Sequence, residues 1–106
     1  MSETRMQQIE RRIKEIKETL CHLGPMRPGS LTRQYKDRQN TTGAYWQISY
    51  TRQMKSRTEY VRAEWVEEIR RQIATHKQFK RLIDQWIDLD IERSKLVMQT
   101  TKPKAT

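Results

Sequence analysis

The residues best suited to chemistry are cations and aromatic rings interleaved between positions 27 and 62. Residues 24–63 carry eight basic and two acidic side chains, a net charge of +6 out of +9 for the whole chain. All four tyrosines lie in the same stretch. Arg and Lys neutralise phosphates and exposed rings stack on bases, so this composition favours nucleic acid as the partner.

The candidate contact residues follow directly from that pattern. The predicted phosphate ligands are Arg27, Arg33, Lys36, Arg38, Arg52, Lys55, Arg57 and Arg62, and the predicted stacking groups are Tyr35 and Tyr60. The alternative is that rings such as Trp46 and Tyr50 form the core and that arginines lie across them with their charged ends in solvent.

Residues that could support catalysis are sparse. Cys21 and His22 are adjacent on a predicted helix and so point about 100° apart, which does not make a nucleophile and base pair. One cysteine and two histidines are too few for a metal cluster. Asp84 and Asp88 have the spacing of a solvated helix face. We therefore predict a protein that is not an enzyme and that uses neither a cofactor nor a metal.

The elements that must position the basic residues begin with a helix over residues 2–23. Its apolar residues are three and four positions apart, as in an a/d heptad seam: Met6, Ile9, Ile13, Ile16, Leu20 and Leu23. Thr4 and Gln7 have the spacing of a capping box, and Gly24 with Pro25 ends the helix. The seam either packs on another helix of the same chain or also pairs between chains.

Residues 24–43 are predicted to form a connector, because glycine and proline occupy four of its first seven positions. Residues 30–35 are compatible with a single turn or a short strand, whereas residues 36–43 are polar and typical of a loop.

Residues 44–62 predict a two-stranded β-hairpin, because β-branched and aromatic residues alternate with polar ones. We place the loop at residues 53–56, which gives the cross-strand pairs Arg52–Arg57, Ile48–Val61 and Trp46–Ala63. The opposite face then carries polar residues and tyrosines: Tyr45, Gln47, Ser49, Thr51, Thr58, Tyr60 and Arg62.

Residues 64–98 predict a long second helix, since they contain no glycine or proline and their apolar residues recur with helical period. The second helix is longer than the first, so its last apolar residues lack a partner that a homodimer would supply: Trp86, Leu89 and Leu96. Residues 99–106 are expected to be a disordered basic tail. The expected fold is therefore one mainly α domain of the α+β class over residues 1–98, with two long antiparallel helices flanking a central two-stranded hairpin.

The predicted compartment is inferred from two kinds of segment that the sequence lacks, a membrane span and a secretory signal. No stretch approaches the roughly 20 apolar residues that span a bilayer, and the first residues lack the apolar core of a secretory signal. A single cysteine cannot form an internal disulfide. We expect a cytosolic protein that does not associate with membranes.

The string Leu-Gly-Pro-Met-Arg-Pro-Gly-Ser-Leu at residues 23–31 resembles a family of small bacterial proteins that carries only a domain-of-unknown-function label. The similarity covers roughly residues 9 to 98. Many family members carry a cysteine cluster after the tyrosine, but this chain has Lys36 to Asn40 there, so no metal role follows. The resemblance implies no activity, and it implies that the connector and hairpin are the distinctive part.

Two hypotheses about function remain. The first is a non-catalytic nucleic-acid-binding accessory module, in which the helices are a scaffold and the connector and hairpin present arginines to phosphates. The alternative is a structural or protein-interaction module that assembles through its helices and meets an acidic protein surface with its basic hairpin.

Overall fold

The computed structural model describes residues 3–100, which form an α+β fold. In chain order the elements are α1 (Arg5–Cys21), β1 (Ser30–Asp37), β2 (Thr42–Arg52), β3 (Lys55–Val61), a 3-10 turn (Ala63–Trp65) and α2 (Val66–Thr100). The predicted helix start at Ser2 and most of the predicted tail lie outside the described residues. The chain forms two compact units, a helical unit of residues 3–23 and 79–100 and a sheet unit of residues 24–78.

In the helical unit, α1 begins at the predicted capping box. The Thr4 hydroxyl accepts the backbone N–H of Gln7, and the Gln7 side chain accepts the backbone N–H of Thr4. The predicted seam is buried at Ile9, Ile13 and Ile16. Burying such side chains contributes about 1.5–3 kcal/mol each, so the seam accounts for much of the stability of this unit.

The antiparallel pairing of α1 with the second half of α2 shows in its ion pairs. Arg5 near the start of α1 makes two hydrogen bonds to Glu92, at 2.6 and 2.8 Å, and Glu10 lies 3.7 Å from Arg93. The Arg12 guanidinium donates to the Gln85 side chain at 2.9 Å. The seam of α1 therefore packs within the chain, which is the first of the two predicted alternatives.

In the sheet unit, three strands form an antiparallel sheet in the order β1-β2-β3. The α+β class is confirmed, and β1 is the short strand that the sequence left open for residues 30–35, but the sheet has three strands where a two-stranded hairpin was predicted. Arg33 stands between Leu31 and Tyr35 on one face of β1 and interrupts the apolar alternation. Within the sheet unit, the sheet packs against the first part of α2.

The β2–β3 turn contains only two residues, Gln53 and Met54, with φ of 52° and 63°. Such turns match the twist of the flanking strands, which favours the tight pairing of Arg52 with Lys55. The predicted four-residue loop and its register were wrong by two positions, since Ile48 pairs with Glu59 and Trp46 with Val61. The face assigned to each residue is nevertheless correct, because side chains alternate with a period of two.

The core of the sheet unit lies between one face of the sheet and α2. It consists of Ile48, Val61, Val66 and Ile69, with Leu31, Trp46 and Ile73 packed against it. Gly29 brings the connector onto this core with a φ of +139°, where an added Cβ would lie 2.9 Å from the Ile48 side chain. Glycine is needed there to avoid that contact and to adopt the positive φ.

Candidate nucleic-acid interface

Three of the predicted cations meet at the end of the β2–β3 hairpin. Arg52 pairs with Lys55, and Arg57 pairs with Tyr50 one step further along the strands, so all three cations project from the same face. We call Arg52, Lys55 and Arg57 the tip cluster. All three side chains are exposed. Within residues 3–100 none of them makes an ion pair within 4 Å, although Arg57 acts electrostatically on Glu59.

Arg52 and Lys55 in the tip cluster are like charges directly opposite each other. Such a pair is unfavourable across two strands, and solvent screens it in part because both side chains are exposed. Cβ atoms of opposite residues are about 5 Å apart and diagonal neighbours about 7–8 Å apart. Long cationic side chains at these separations present a concentrated positive surface, which suits adjacent phosphates.

Met54 is the residue at this site that sequence reasoning missed. It lies at the apex of the turn between Arg52 and Lys55 and is 98% exposed. The only available signal was an apolar residue inside a predicted loop, and such residues are common on protein surfaces.

Arg27 has a different environment from the tip cluster, although its residue type is the same. Its side chain is only 25% exposed, it lies 3.1 Å from a Glu59 oxygen, and it stacks 5.2 Å from the centre of the Tyr50 ring. Its backbone N–H donates to the carbonyl of Gln72 on α2 at 3.3 Å. We call Arg27, Tyr50 and Glu59 the clamp, because they fasten the connector to the sheet.

The clamp shifts the titration of its members. The Tyr50 hydroxyl donates to Glu59, and this bond, followed by the one from Arg27, holds the pKa of the Glu59 carboxyl below its usual value. The same bond to Glu59, followed by desolvation, raises the pKa of Tyr50. The positive charge of Arg27 is therefore paired with Glu59 within the protein, and a phosphate that bound Arg27 would have to compete with that glutamate.

The cations of β1 and the following turn form a second group, which runs from Arg33 near the middle of the sheet to Arg38 in the turn at its other end. The Arg33 guanidinium lies 5.8 Å from the centre of the half-buried Tyr35 ring, while Lys36 projects from the opposite face and Arg38 lies in the turn. We call Arg33, Lys36 and Arg38 the first-turn cluster. Asp37 accepts hydrogen bonds from the side chain and backbone N–H of Asn40, which lower the pKa of its carboxyl.

Lys36 and Arg38 are separated from the tip cluster by most of the length of β2, whereas Arg33 lies opposite Trp46 near the middle of that strand. In an antiparallel meander the two turns lie at opposite ends, and a strand of 11 residues at about 3.3 Å per residue spans about 35 Å. The predicted phosphate ligands therefore form two groups, while Arg27 lies beside the tip cluster in the clamp and Arg62 follows β3.

The remaining candidates, Tyr60 and Arg62, follow β3 toward α2. Tyr60 projects from the face opposite Ile48 and is 69% exposed, which leaves its ring accessible for stacking. Arg62 is exposed just before the 3-10 turn, and its carbonyl accepts the N–H of Trp65. Both residues lie at the end of β3 remote from the tip cluster.

Neither a metal site nor a membrane-spanning helix is found among residues 3–100. No group of three or more His, Cys, Asp or Glu residues there is placed to hold a metal ion. No helix in that range is long and apolar enough to cross a membrane.

The fold and the site define a small α+β protein whose three-stranded sheet carries a basic hairpin tip. A family model described as Domain of unknown function (DUF6788) matches residues 6–71, so the chain belongs to that family. The matched range contains all of α1 except its first residue, together with the clamp and both basic clusters. No curated protein and no solved structure matches the chain significantly.

Proposed function

We propose that the protein is a non-catalytic nucleic-acid-binding module and that the tip cluster is its main contact with phosphates. The observation that carries the proposal is the placement of Arg52, Lys55 and Arg57 on one exposed face without an ion pair among the described residues. Arg52 and Lys55 are like charges directly opposite each other, and Arg57 adds a third cation whose nearest carboxylate, Glu59, is already bonded to Arg27 and Tyr50. Such a group is more readily explained by an external anion than by folding.

The form of the hairpin also supports this proposal. A two-stranded ribbon fits a major groove about 12 Å wide, and the two-residue turn makes the end of this ribbon narrow. The clamp lies next to the tip cluster on the same face, where it fixes the base of the hairpin. A rigid ribbon holds its cations in place and loses less entropy on binding.

The proposal is tested by measuring affinity for labelled duplex DNA, single-stranded DNA and RNA over a series of salt concentrations. The test variant is Arg52→Gln/Lys55→Gln/Arg57→Gln, with folding checked by circular dichroism. Each phosphate contact contributes about 0.9 to the slope of log affinity against log salt on duplex DNA, so the variant should lower the slope by about 2–3.

A matched control separates this site from net charge alone. Lys14→Gln/Lys77→Gln/Arg81→Gln removes the same charge from exposed positions on the two helices and should leave the slope nearly unchanged. Equal losses in both variants would mean that binding follows total charge, which contradicts the proposal. The variant Arg33→Gln/Lys36→Gln/Arg38→Gln should have a smaller effect than the tip variant.

The competing function is an interaction module whose basic tip meets an acidic protein surface. It predicts that wild-type protein binds all three nucleic acids weakly and that the tip variant binds them no more weakly. Comparison of the three probes also decides between DNA and RNA as the preferred partner.

A further inference from the structure

The second half of α2 has an apolar face that α1 does not cover. Ile87, Ile91 and Met98 are 51%, 50% and 68% exposed, although they lie on a helix that is packed on another side. They line a groove of about 570 Å³. Exposed apolar residues that form a contiguous patch mark interaction sites more often than isolated ones do.

This face differs from the side of α2 that packs on α1. Trp86, Leu89 and Leu96, for which the sequence predicts no partner within the chain, are half-buried. Trp86 lies beneath the Lys17 ammonium, 5.2 Å from the ring centre, and donates to Asp90 at 3.0 Å. The unpartnered face is therefore the neighbouring stripe that includes Ile87 and Ile91.

The stripe has the spacing of a helix-pairing seam. Ile87, Ile91, Ser94 and Met98 follow one another at intervals of four, three and four residues, which is an a/d heptad pattern. A small residue at Ser94 permits close approach of a second helix. The partner that fits such a seam is another helix with an apolar stripe.

Charges beside the stripe indicate that this helix is a second copy of α2. Asp88 and Lys95 are one heptad apart and so lie on the same flank of the seam, and neither makes an ion pair within residues 3–100. In an antiparallel pair, a two-fold axis perpendicular to both helices relates the two copies. The side of the seam that carries Asp88 and Lys95 on one helix therefore faces the same side of the seam on the other helix. Asp88 of each copy then lies opposite Lys95 of the other.

We infer that two copies of the chain pair antiparallel through the Ile87, Ile91, Ser94 and Met98 face of α2. The apolar stripe supplies the attraction, and the two reciprocal pairs of Asp88 with Lys95 select the antiparallel direction. This inference does not rest on the proposed nucleic-acid binding, because its residues lie outside both basic clusters.

The test is the mass of the purified full chain by analytical ultracentrifugation from low micromolar to about 100 µM, a range in which weak dimers dissociate. Wild-type protein should reach twice the chain mass of 12.9 kDa. Ile91→Asp should remain a monomer with unchanged helix content. A wild-type monomer throughout the range, or a dimer that survives Ile91→Asp, would overturn the inference.

The reversals Asp88→Lys and Lys95→Asp test the pairing direction. Each reversal alone creates two like-charge contacts in a dimer and should raise the dimer Kd by about tenfold or more. The double variant Asp88→Lys/Lys95→Asp restores both pairs and should return the Kd to within about threefold of wild type. A dimer weakened by both single reversals but not rescued by the double variant would contradict antiparallel self-pairing. Glu18→Lys, which makes the same charge change as Asp88→Lys on the exposed side of α1, serves as the control and should leave the Kd unchanged.

Discussion

The clamp and the tip cluster show how one residue type takes two roles on the same pair of strands. Arg27 and Arg57 both lie beside Tyr50 and Glu59, and both influence the titration of these groups. Arg27 is mostly buried, stacked on Tyr50 and paired with Glu59, whereas Arg57 is exposed and joins two other cations. The charge of a segment therefore overstates the number of cations that it can offer to a partner.

The largest expected effect is the loss of stability when the clamp arginine, Arg27, is replaced. Arg27→Ala removes the ion pair with Glu59, the stacking on Tyr50 and a packed aliphatic stem, so it should lower the free energy of unfolding by about 1–2 kcal/mol. The affinity of the folded fraction for nucleic acid should change less than about twofold, since the proposal places the phosphate contacts in the tip cluster. Urea unfolding and a binding titration on the same sample measure both quantities. Unchanged stability would show that the clamp does not hold the connector.

In the β2–β3 turn, substitution should raise the free energy of unfolding instead of lowering it. Gln53→Asn/Met54→Gly places the preferred residues at two positions with positive φ and should raise the free energy of unfolding by about 1 kcal/mol. Affinity should stay close to wild type, because the cations of the tip cluster remain. Loss of affinity with intact folding would assign Met54 a contact of its own.

A smaller gain in stability is expected from the tip cluster itself. Arg52→Thr relieves the like-charge pair with Lys55 and places a β-branched residue in the strand, so stability should rise by about 0.2–1 kcal/mol. Binding should weaken in the same variant, which is the opposite pattern to Arg27→Ala. Thermal unfolding can be followed against Ser56→Thr as a control next to the pair. Destabilisation by Arg52→Thr would mean that Arg52 has a structural role.

The smallest effect is the pH dependence of the clamp, because its groups are partly exposed. The depressed pKa of Glu59 contributes stability above the unfolded value of about 4.3, and this contribution is lost as pH falls. The raised pKa of Tyr50 contributes stability below about 10 that is lost as pH rises.

Tyr50→Phe removes the hydrogen bond that Tyr50 and Glu59 share. It should therefore reduce the loss of stability at low pH that comes from Glu59 and abolish the loss of stability at high pH that comes from Tyr50. Tyr60→Phe, on the other face of the sheet, serves as the control. Parallel pH profiles for wild type and Tyr50→Phe would show that the bond contributes no measurable stability.

Local sequence signals predict the helices well. The capping box at Thr4 and the heptad seam of α1 depend on residues a few positions apart, and the structure confirms both. The helix α2 begins two residues later than predicted because a 3-10 turn precedes it. The faces predicted for the residues of β2 and β3 are also correct, because an error of two positions in the register leaves each side chain on the same side of the sheet.

The features that the sequence left open or could not show depend mainly on contacts between distant residues. The strand β1 forms because β2 offers it a partner, whereas its own sequence places Arg33 between Leu31 and Tyr35. Arg27 resembles every other basic residue until the fold brings Glu59 to it from 32 positions away. The separation of the two basic clusters likewise follows from the meander and not from charge order along the chain.

The central claim is that the tip cluster binds nucleic acid while the clamp arginine does not. The most direct test compares Arg57→Gln with Arg27→Gln, which remove the same charge near the same glutamate, in the salt dependence of affinity for the best-bound nucleic acid. Arg57→Gln should lower the slope of log affinity against log salt by about 1, and Arg27→Gln should leave it unchanged once the folded fraction is accounted for. Equal slopes for the two variants, or a larger change for Arg27→Gln, would contradict the division of roles.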